Sequence, residues 1–580
     1  MDSDVNQEAA AEDSLGVGSV GGDRSSGWKF RWIIVLAALV LGAAPLMPAW
    51  LSGEGSDLAE FSAGRTLNHV EVIAQEPHPM GGAEIVQVRD YLIETLTDLG
   101  LSPVVQTVPT EDYYEVPGRQ VDAVNVMARI EGVNSTGAVA LVAHYDTVPA
   151  TPGANDCSGC VATLLEIARI LVASPPMAND VILLFTDGEE PAPRPGSTTF
   201  VADHPWFGDV AFVVNIEATG SGGPSLLIET SGSEEQMIGL YTDAPHPAAF
   251  SFVSELADLV GGFGTDFDPF KDNGVDGMSF AYAHGASIYH TQRDSVESVS
   301  LTSLQQQGAN TLYLARRAGN ADLEQMADSN GAVFFTIVGS TIVQYSDAVA
   351  LALSLIAAVI LGVAIVRHQR NQGGVVGRAF KSAGLVFGLF VASIAVGGLA
   401  WTVVAGWRPT QGVVEGYLYL LLMLAAGIGL WMAVSKYASR RNRAIPILGG
   451  VVLVWVALAV VTSLLAPGTS YLFVWPALAG ATYLLANPCT KALDLVAFAA
   501  VTTTLLIVNT PAIDIFYQMA QPRPGNPDSQ LMPVAGVALG MWVLIVAMIQ
   551  TTHATASERE VGNGVITEHT NRATSWTGTS

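Results

Sequence analysis

The chain has 580 residues, half of them hydrophobic and only 14% charged, and a formal net charge of −27. This composition excludes a disordered chain, and three cysteines are too few for a disulfide scaffold. Residues 1–339 carry 45 acidic and 13 basic groups, whereas residues 340–580 carry 8 and 13; an acidic water-facing half is joined to an apolar half, and nucleic acid is excluded as a partner.

In chain order, residues 1–27 are rich in Gly, Ser and acids without apolar periodicity, and are expected to form a disordered cytoplasmic tail. Residues 32–51 contain no charge and suffice to cross a bilayer core as a helix. Arg24, Lys29 and Arg31 precede this segment, and Glu54, Asp57 and Glu60 follow it, which places the N-terminus inside. The length of the run favours an uncleaved anchor over a signal peptide.

Between residues 57 and 320 the pattern changes. Segments 85–99 and 158–172 have helical apolar spacing, and 139–143, 181–185, 211–216 and 279–282 are short apolar runs suited to buried strands. Such alternation predicts an α/β domain: a mixed, mainly parallel sheet covered by helices. Ligands of such sheets bind beyond the carboxyl ends of the strands. There the sequence places His144 and Asp146, then Glu189 and Glu190, then Glu217, then His290, with Asp156 in the loop after His144. Nitrogen and oxygen donors without thiolate suit catalytic zinc. Cys157 and Cys160 lack the second CxxC of a structural zinc site and read either as small residues at a helix start or as a local disulfide outside the cell. His69, His78, His204, His246 and His284 read as loop or surface histidines.

The segments HYD (144–146), ANDCSG (154–159), FTDGEE (185–190), NIEATG (215–220) and YHTQRD (289–294) together resemble the co-catalytic di-zinc aminopeptidase family. PHPMGG (77–82) and TDFDPF (265–270) resemble its membrane-bound branch, the vacuolar membrane proteases and endoplasmic-reticulum metallopeptidases. The resemblance implies the zinc-exopeptidase fold and two Zn2+ ions per chain. Asp156 would bridge both metals, His144 and Glu217 completing one and Glu190 and His290 the other. Asp146 would orient the neighbouring histidine, and Glu189 would be the general base toward a zinc-activated water. Two departures stand out. Glu217 occupies a position that is often aspartate in soluble aminopeptidases, and the Asp-Asp pair common at the bridging position is Asn155-Asp156. The expected function is therefore a metallo-exopeptidase acting on peptides, most simply an aminopeptidase. The alternatives are a carboxypeptidase, a glutaminyl-cyclase-like zinc enzyme, or a silent binding or receptor domain.

From 333 to 551 the chain reads as an all-α transmembrane domain of about seven helices, with apolar runs at 346–366, 382–405, 414–434, 446–466, 470–486, 493–509 and 531–550. Residues 333–345 read as an interfacial element or an extension of the run that follows. Arg367, Arg370, Arg378 and Lys381, then Lys436, Arg440, Arg441 and Arg443, then Lys491 fall in alternate loops, against Arg408 and Arg523 in the others. That alternation puts both termini in the cytoplasm and the peptidase domain outside it. Residues 552–580 would form a second disordered tail. Asp347, Glu415, Asp494 and Asp514 lie at span ends, so the bundle reads as a lipid-embedded anchor rather than a transporter. A single sequon at Asn134 and an Arg-to-Lys ratio of 21 to 5 favour a bacterial plasma membrane over a vacuolar or reticular one.

Overall fold

The computed structural model describes residues 24–47, 57–114, 118–191, 193–326, 331–407, 413–439, 444–521 and 534–575. The expected N-terminal tail up to residue 23, the final residues 576–580, and the loop cations Arg408, Arg440, Arg441, Arg443 and Arg523 lie outside the described residues.

The apolar runs form the centre of a seven-stranded sheet: β1 (Val104–Glu111), β2 (Gln120–Ile130), β3 (Ala138–His144), β4 (Asp180–Thr186), β5 (Val210–Ala218), β6 (Leu226–Ser231) and β7 (Asp276–Tyr282), in the order β1-β2-β4-β3-β5-β7-β6. The four strands β4, β3, β5 and β7 pair in parallel, and β1, β2 and β6 join antiparallel. The sheet is thus of the mixed, centrally parallel kind expected. Every residue of β3 and β4 is buried. Successive side chains point to opposite faces: Val139, Leu141 and Ala143 join a core with Leu164 and Leu304, while Ala140 and Val142 meet Phe200 and Phe270 on the other side. Coverage on both faces is what makes these strands apolar throughout, and it leaves only their carboxyl ends free for polar chemistry.

The segment around 333–345 is not an extension of the helical run that follows. It is a hairpin of β8 (Ala332–Ile337) and β9 (Thr341–Ser346). Its three-residue turn ends at Ser340 with φ 59°, the left-handed position such turns require. Phe334 N–H donates to Ser251 Oγ at 3.1 Å, and Phe335 stacks on Tyr471 with centroids 4.4 Å apart, so the hairpin joins the sheet domain to the helices beyond it. The helical region accordingly begins at Asp347 rather than 333.

Seven helices among the described residues are long and apolar enough to cross a membrane: Lys29–Leu46, Asp347–Gln372, Val375–Val404, Gly416–Lys436, Ala444–Leu465, Lys491–Met519 and Ala535–Glu558. The remaining expected span is the helix Tyr471–Ala486, which has 16 residues against the ~20 of a full crossing. The last helix continues to Ser575, through much of the stretch expected as a disordered tail. It is held beyond residue 551 by packing: Thr552 and Thr555 are buried, and Glu558 accepts the Ala444 N–H at 3.0 Å.

Candidate metal centre

His144 closes β3, Glu217 lies one residue from the end of β5, and Glu189 and Glu190 follow β4. Parallel register therefore brings them to one sheet edge. Asp156 arrives from the Ala154–Gly159 turn that leads into the helix Cys160–Val172, and the Asp156–Cys157 peptide is cis. His290, after β7, has φ 57°, a backbone region that non-glycine residues enter mainly where the surroundings demand it. Gly188 also has positive φ (79°), and a Cβ there would come within 2.8 Å of Met80 Sδ. The turn before Glu189 is thus reserved for glycine by both conformation and space.

Two donor groups result, sharing one carboxylate. His144 Nε2 lies 3.4 Å from Asp156 Oδ1 and 3.4 Å from Glu217 Oε2. His290 Nε2 lies 3.3 Å from Asp156 Oδ2 and 3.0 Å from Glu190 Oε2. Most of these separations exceed an ordinary hydrogen bond and match the ~3.3 Å donor–donor edge of a tetrahedral ion with ~2.0 Å bonds. Asp156 Oδ2, Glu190 Oε1 and His290 Nε2 are buried without a hydrogen-bond partner. The five expected ligands thus fall into two groups that share Asp156, each with the donor types that could hold a metal ion. Cys157 Sγ sits beside the first group but is bonded to Cys160, so it offers no thiolate. Of the two readings the sequence left open for this pair, a local disulfide or small residues packed at a helix start, the structure has the disulfide.

Burial and the mutual charge of the group dominate its electrostatics. Burial, and then the charge of Asp156, push the Glu190 carboxyl up to about 7. Burial lowers the His290 imidazole, but the adjacent carboxylates of Asp156 and Glu190 outweigh it and raise that group to about 10. Burial, then Glu217, Asp266 and Glu190 against an opposing His144, hold Glu189 well above the usual carboxyl range.

The supporting shell differs from the expected one in detail. His144 Nδ1 is 3.1 Å from the Asp146 main-chain oxygen and 3.6 Å from its carboxylate. That carboxylate instead accepts the N–H groups of Glu189 and Glu190 at 3.0 and 3.4 Å, orienting the turn that carries both. Glu217 Oε1 accepts from Asn215 Nδ2 at 3.0 Å. Asp294, to which sequence reasoning gave no role, accepts the Asn155 N–H and Asn155 Nδ2, both at 2.8 Å, and the Asp156 N–H at 3.1 Å. Its signal was the last position of the YHTQRD segment. Tyr114 was also missed. Burial and the charges of Glu190, Asp146 and Glu189 raise its phenol, and its hydroxyl is buried without a partner among the described residues. Asp266 is fully buried and bonded to Thr186 Oγ1, whereas Asp268 pairs with Arg194 at 2.8 Å. His78 is buried and tied to Thr147, and Tyr289 stacks on His290 at 3.7 Å.

A cavity of about 450 Å³ adjoins Asp156, Glu189 and Glu217. Its wall includes His284, which is buried rather than superficial.

Residues 125–315 match the model of Peptidase family M28. Endoplasmic reticulum metallopeptidase 1 of Rattus norvegicus is 28% identical over 396 residues, covering 59% of this chain and 42% of the relative. A vacuolar membrane protease of Candida dubliniensis is 28% identical over 286 residues, covering 46% and 29%. The chain thus spans less than half the length of these curated relatives. A Zn-dependent exopeptidase structure from Parabacteroides distasonis aligns at 17% identity with TM-score 0.38, over 45% of this chain and 99% of that one. The similarity to membrane-bound metallopeptidases expected from the motifs is present.

Proposed function

We propose that this chain is a membrane-anchored zinc metallo-exopeptidase, an aminopeptidase with two zinc ions, whose peptidase domain faces away from the cytoplasm. The observation that carries the reading is the Asp156 carboxylate, with one oxygen 3.4 Å from His144 Nε2 and the other 3.3 Å from His290 Nε2. His144, Asp156 and Glu217 would hold one ion, and Asp156, Glu190 and His290 the other. Zinc bound there would supply Lewis acidity to a water and to the scissile carbonyl. Glu189, beside the cavity with a raised pKa, accepts the proton of the attacking water and returns it to the leaving amine. Asp146 holds the Glu189–Glu190 turn for that transfer. Silence of the site as a mere receptor is disfavoured by the intact donor set.

Amino-terminal specificity is supported by charge. Among the described residues that line the cavity there is no Lys or Arg, while Glu189 and Glu217 suit an ammonium group. The disulfide between Cys157 and Cys160 supports an oxidising compartment. The loop charges support cytoplasmic termini, and the arginine-rich composition a bacterial plasma membrane.

The test is hydrolysis of aminoacyl, N-blocked and C-terminal reporter peptides by the detergent-purified chain, with zinc and with a chelator. Zinc-dependent cleavage of free N-terminal reporters is expected, reduced about 10²–10⁴-fold in Glu189→Gln. Cleavage restricted to N-blocked substrates, or cyclisation of N-terminal glutamine without hydrolysis, would replace this reading by the carboxypeptidase or cyclase one.

A further inference from the structure

The cavity beside the metal centre is not built by the peptidase domain alone. Its lining combines Asp156, Glu189 and Glu217 with Ile515, Gln518 and Met519 from the apolar helix Lys491–Met519. That helix has 29 residues, about 43 Å at 1.5 Å per residue, against a hydrocarbon core of about 30 Å. It is therefore longer than an untilted crossing requires, and its last turns meet the peptidase domain.

The meeting is fixed by side chains. Positions 514, 515, 518 and 519 follow the i, i+1, i+4, i+5 spacing of one helical face. On that face Asp514 Oδ2 lies 3.1 Å from His284 Nε2, and the other ring nitrogen of His284 is 3.2 Å from Tyr417 Oη of a neighbouring membrane helix. Phe516 packs on Phe252 with centroids 4.9 Å apart. With Asp514 anchored, Ile515 and Met519 join Leu226, Ile228, Val253 and Phe263 in the apolar part of the wall. The volume, about 450 Å³, falls within the range of pockets that enclose small ligands.

We propose that the extracytoplasmic end of this membrane helix is part of the substrate site, with Ile515 and Met519 forming the wall against which the substrate side chain next to the scissile bond packs. The bundle then selects large apolar side chains and is more than an anchor. The proposal rests on the peptidase reading above and extends it by assigning specificity to residues of the membrane domain. Burial of apolar side-chain groups against such a wall supplies discrimination of about 10–200-fold per methylene-sized difference.

The experiment uses the full chain in detergent micelles. Ile515→Trp and Met519→Trp fill the pocket, and Met519→Ala enlarges it; zinc content and melting temperature verify that each variant is folded. Alanyl, leucyl and phenylalanyl reporters are compared by the ratio of kcat/KM. Each filling variant is expected to lower the leucyl-to-alanyl ratio at least tenfold, and Met519→Ala to raise the phenylalanyl-to-leucyl ratio. Ratios unchanged in all three variants would overturn the proposal. In parallel, the affinity of leucine hydroxamate relative to glycine hydroxamate is measured by thermal protection in the Glu189→Gln background. A leucine preference that the filling variants abolish supports the pocket even if no reporter is cleaved, in which case the peptidase reading alone fails. Equal affinity for the two hydroxamates before filling overturns the pocket whatever the turnover.

Discussion

Asp294 shows how much of the centre depends on a residue that offers no donor to a metal position itself. Its carboxylate accepts three N–H groups from Asn155 and Asp156, fixing the direction in which Asp156 presents its oxygens. Burial and the charge of Asp156 raise it to about 6, so at neutral pH it remains a charged acceptor. Asp294→Asn keeps the shape but turns acceptor capacity into donors facing donors. Zinc affinity, measured by competition with a chelator, is expected to fall about 10–100-fold. A second expectation concerns pH. Glu190 and Glu229 have carboxyls pushed up to about 7, chiefly by burial, above their unfolded values. Each therefore contributes stability that is present below the unfolded pKa and is lost as pH rises through about 7. His69 and His78, held below 6.5 mainly by burial, act in the opposite sense only up to that pH. The melting temperature of the chelated protein should thus fall between about pH 6.5 and 8. Zinc binding needs deprotonated ligands, so its stabilising effect should grow over the same interval; a chelated protein whose melting temperature rises there would contradict the assignment.

At the scale of elements, the turn Ala154–Gly159 and the helix Cys160–Val172 are bound together by the Cys157–Cys160 disulfide directly after Asp156. Closing so short a loop stabilises by about 2 kcal/mol in the chain-entropy view. The Cys157→Ser, Cys160→Ser double variant is expected to lose about that much in denaturant titration, and to bind zinc more weakly because the bridging carboxylate loses its brace. Legibility in sequence divides along element lines. The central strands β3, β4, β5 and β7 could be read because burial on both faces demands unbroken apolar runs. The outer strands could not. β1 carries Pro109 and exposed residues, both permitted at a sheet edge, and β2 begins with exposed positions. The hairpin β8–β9 was not legible as strands because its first strand, AVFFTI, is mostly apolar and adjoins a long apolar helix. The five candidate ligands stood out because histidines and carboxylates followed those readable strands, and the structure brings them together. Asp294, Tyr114 and the Lys491–Met519 contribution were not, because each acts through a contact between segments far apart in the chain.

At the scale of the whole molecule, the peptidase domain is inserted between helices that pack together. The first helix, Arg24–Ala43, lies against Lys491–Met519. Arg31 forms an ion pair with Asp494, stands 4.7 Å over the Phe498 ring, and shares Asp494 with the Tyr483 hydroxyl at 2.7 Å. Both partners are largely buried, at 12% and 9% side-chain exposure. Taking a single partner away leaves the other charge uncompensated, which in buried pairs costs about 3–5 kcal/mol, whereas replacing both by apolar residues is often close to neutral. Arg31→Met should therefore lower the melting temperature of the purified protein substantially, and Arg31→Met with Asp494→Leu should recover most of that loss. The same helix carries Asp494 near one end and the cavity residues Ile515 and Met519 near the other. Loosening its contact with the first helix should then reach the substrate pocket, so the single variant is expected to lose discrimination between leucyl and alanyl reporters along with stability, and the double variant to regain both. Recovery of stability without recovery of discrimination would mean that the ion pair holds the bundle together but does not set the position of the helix end at the active site.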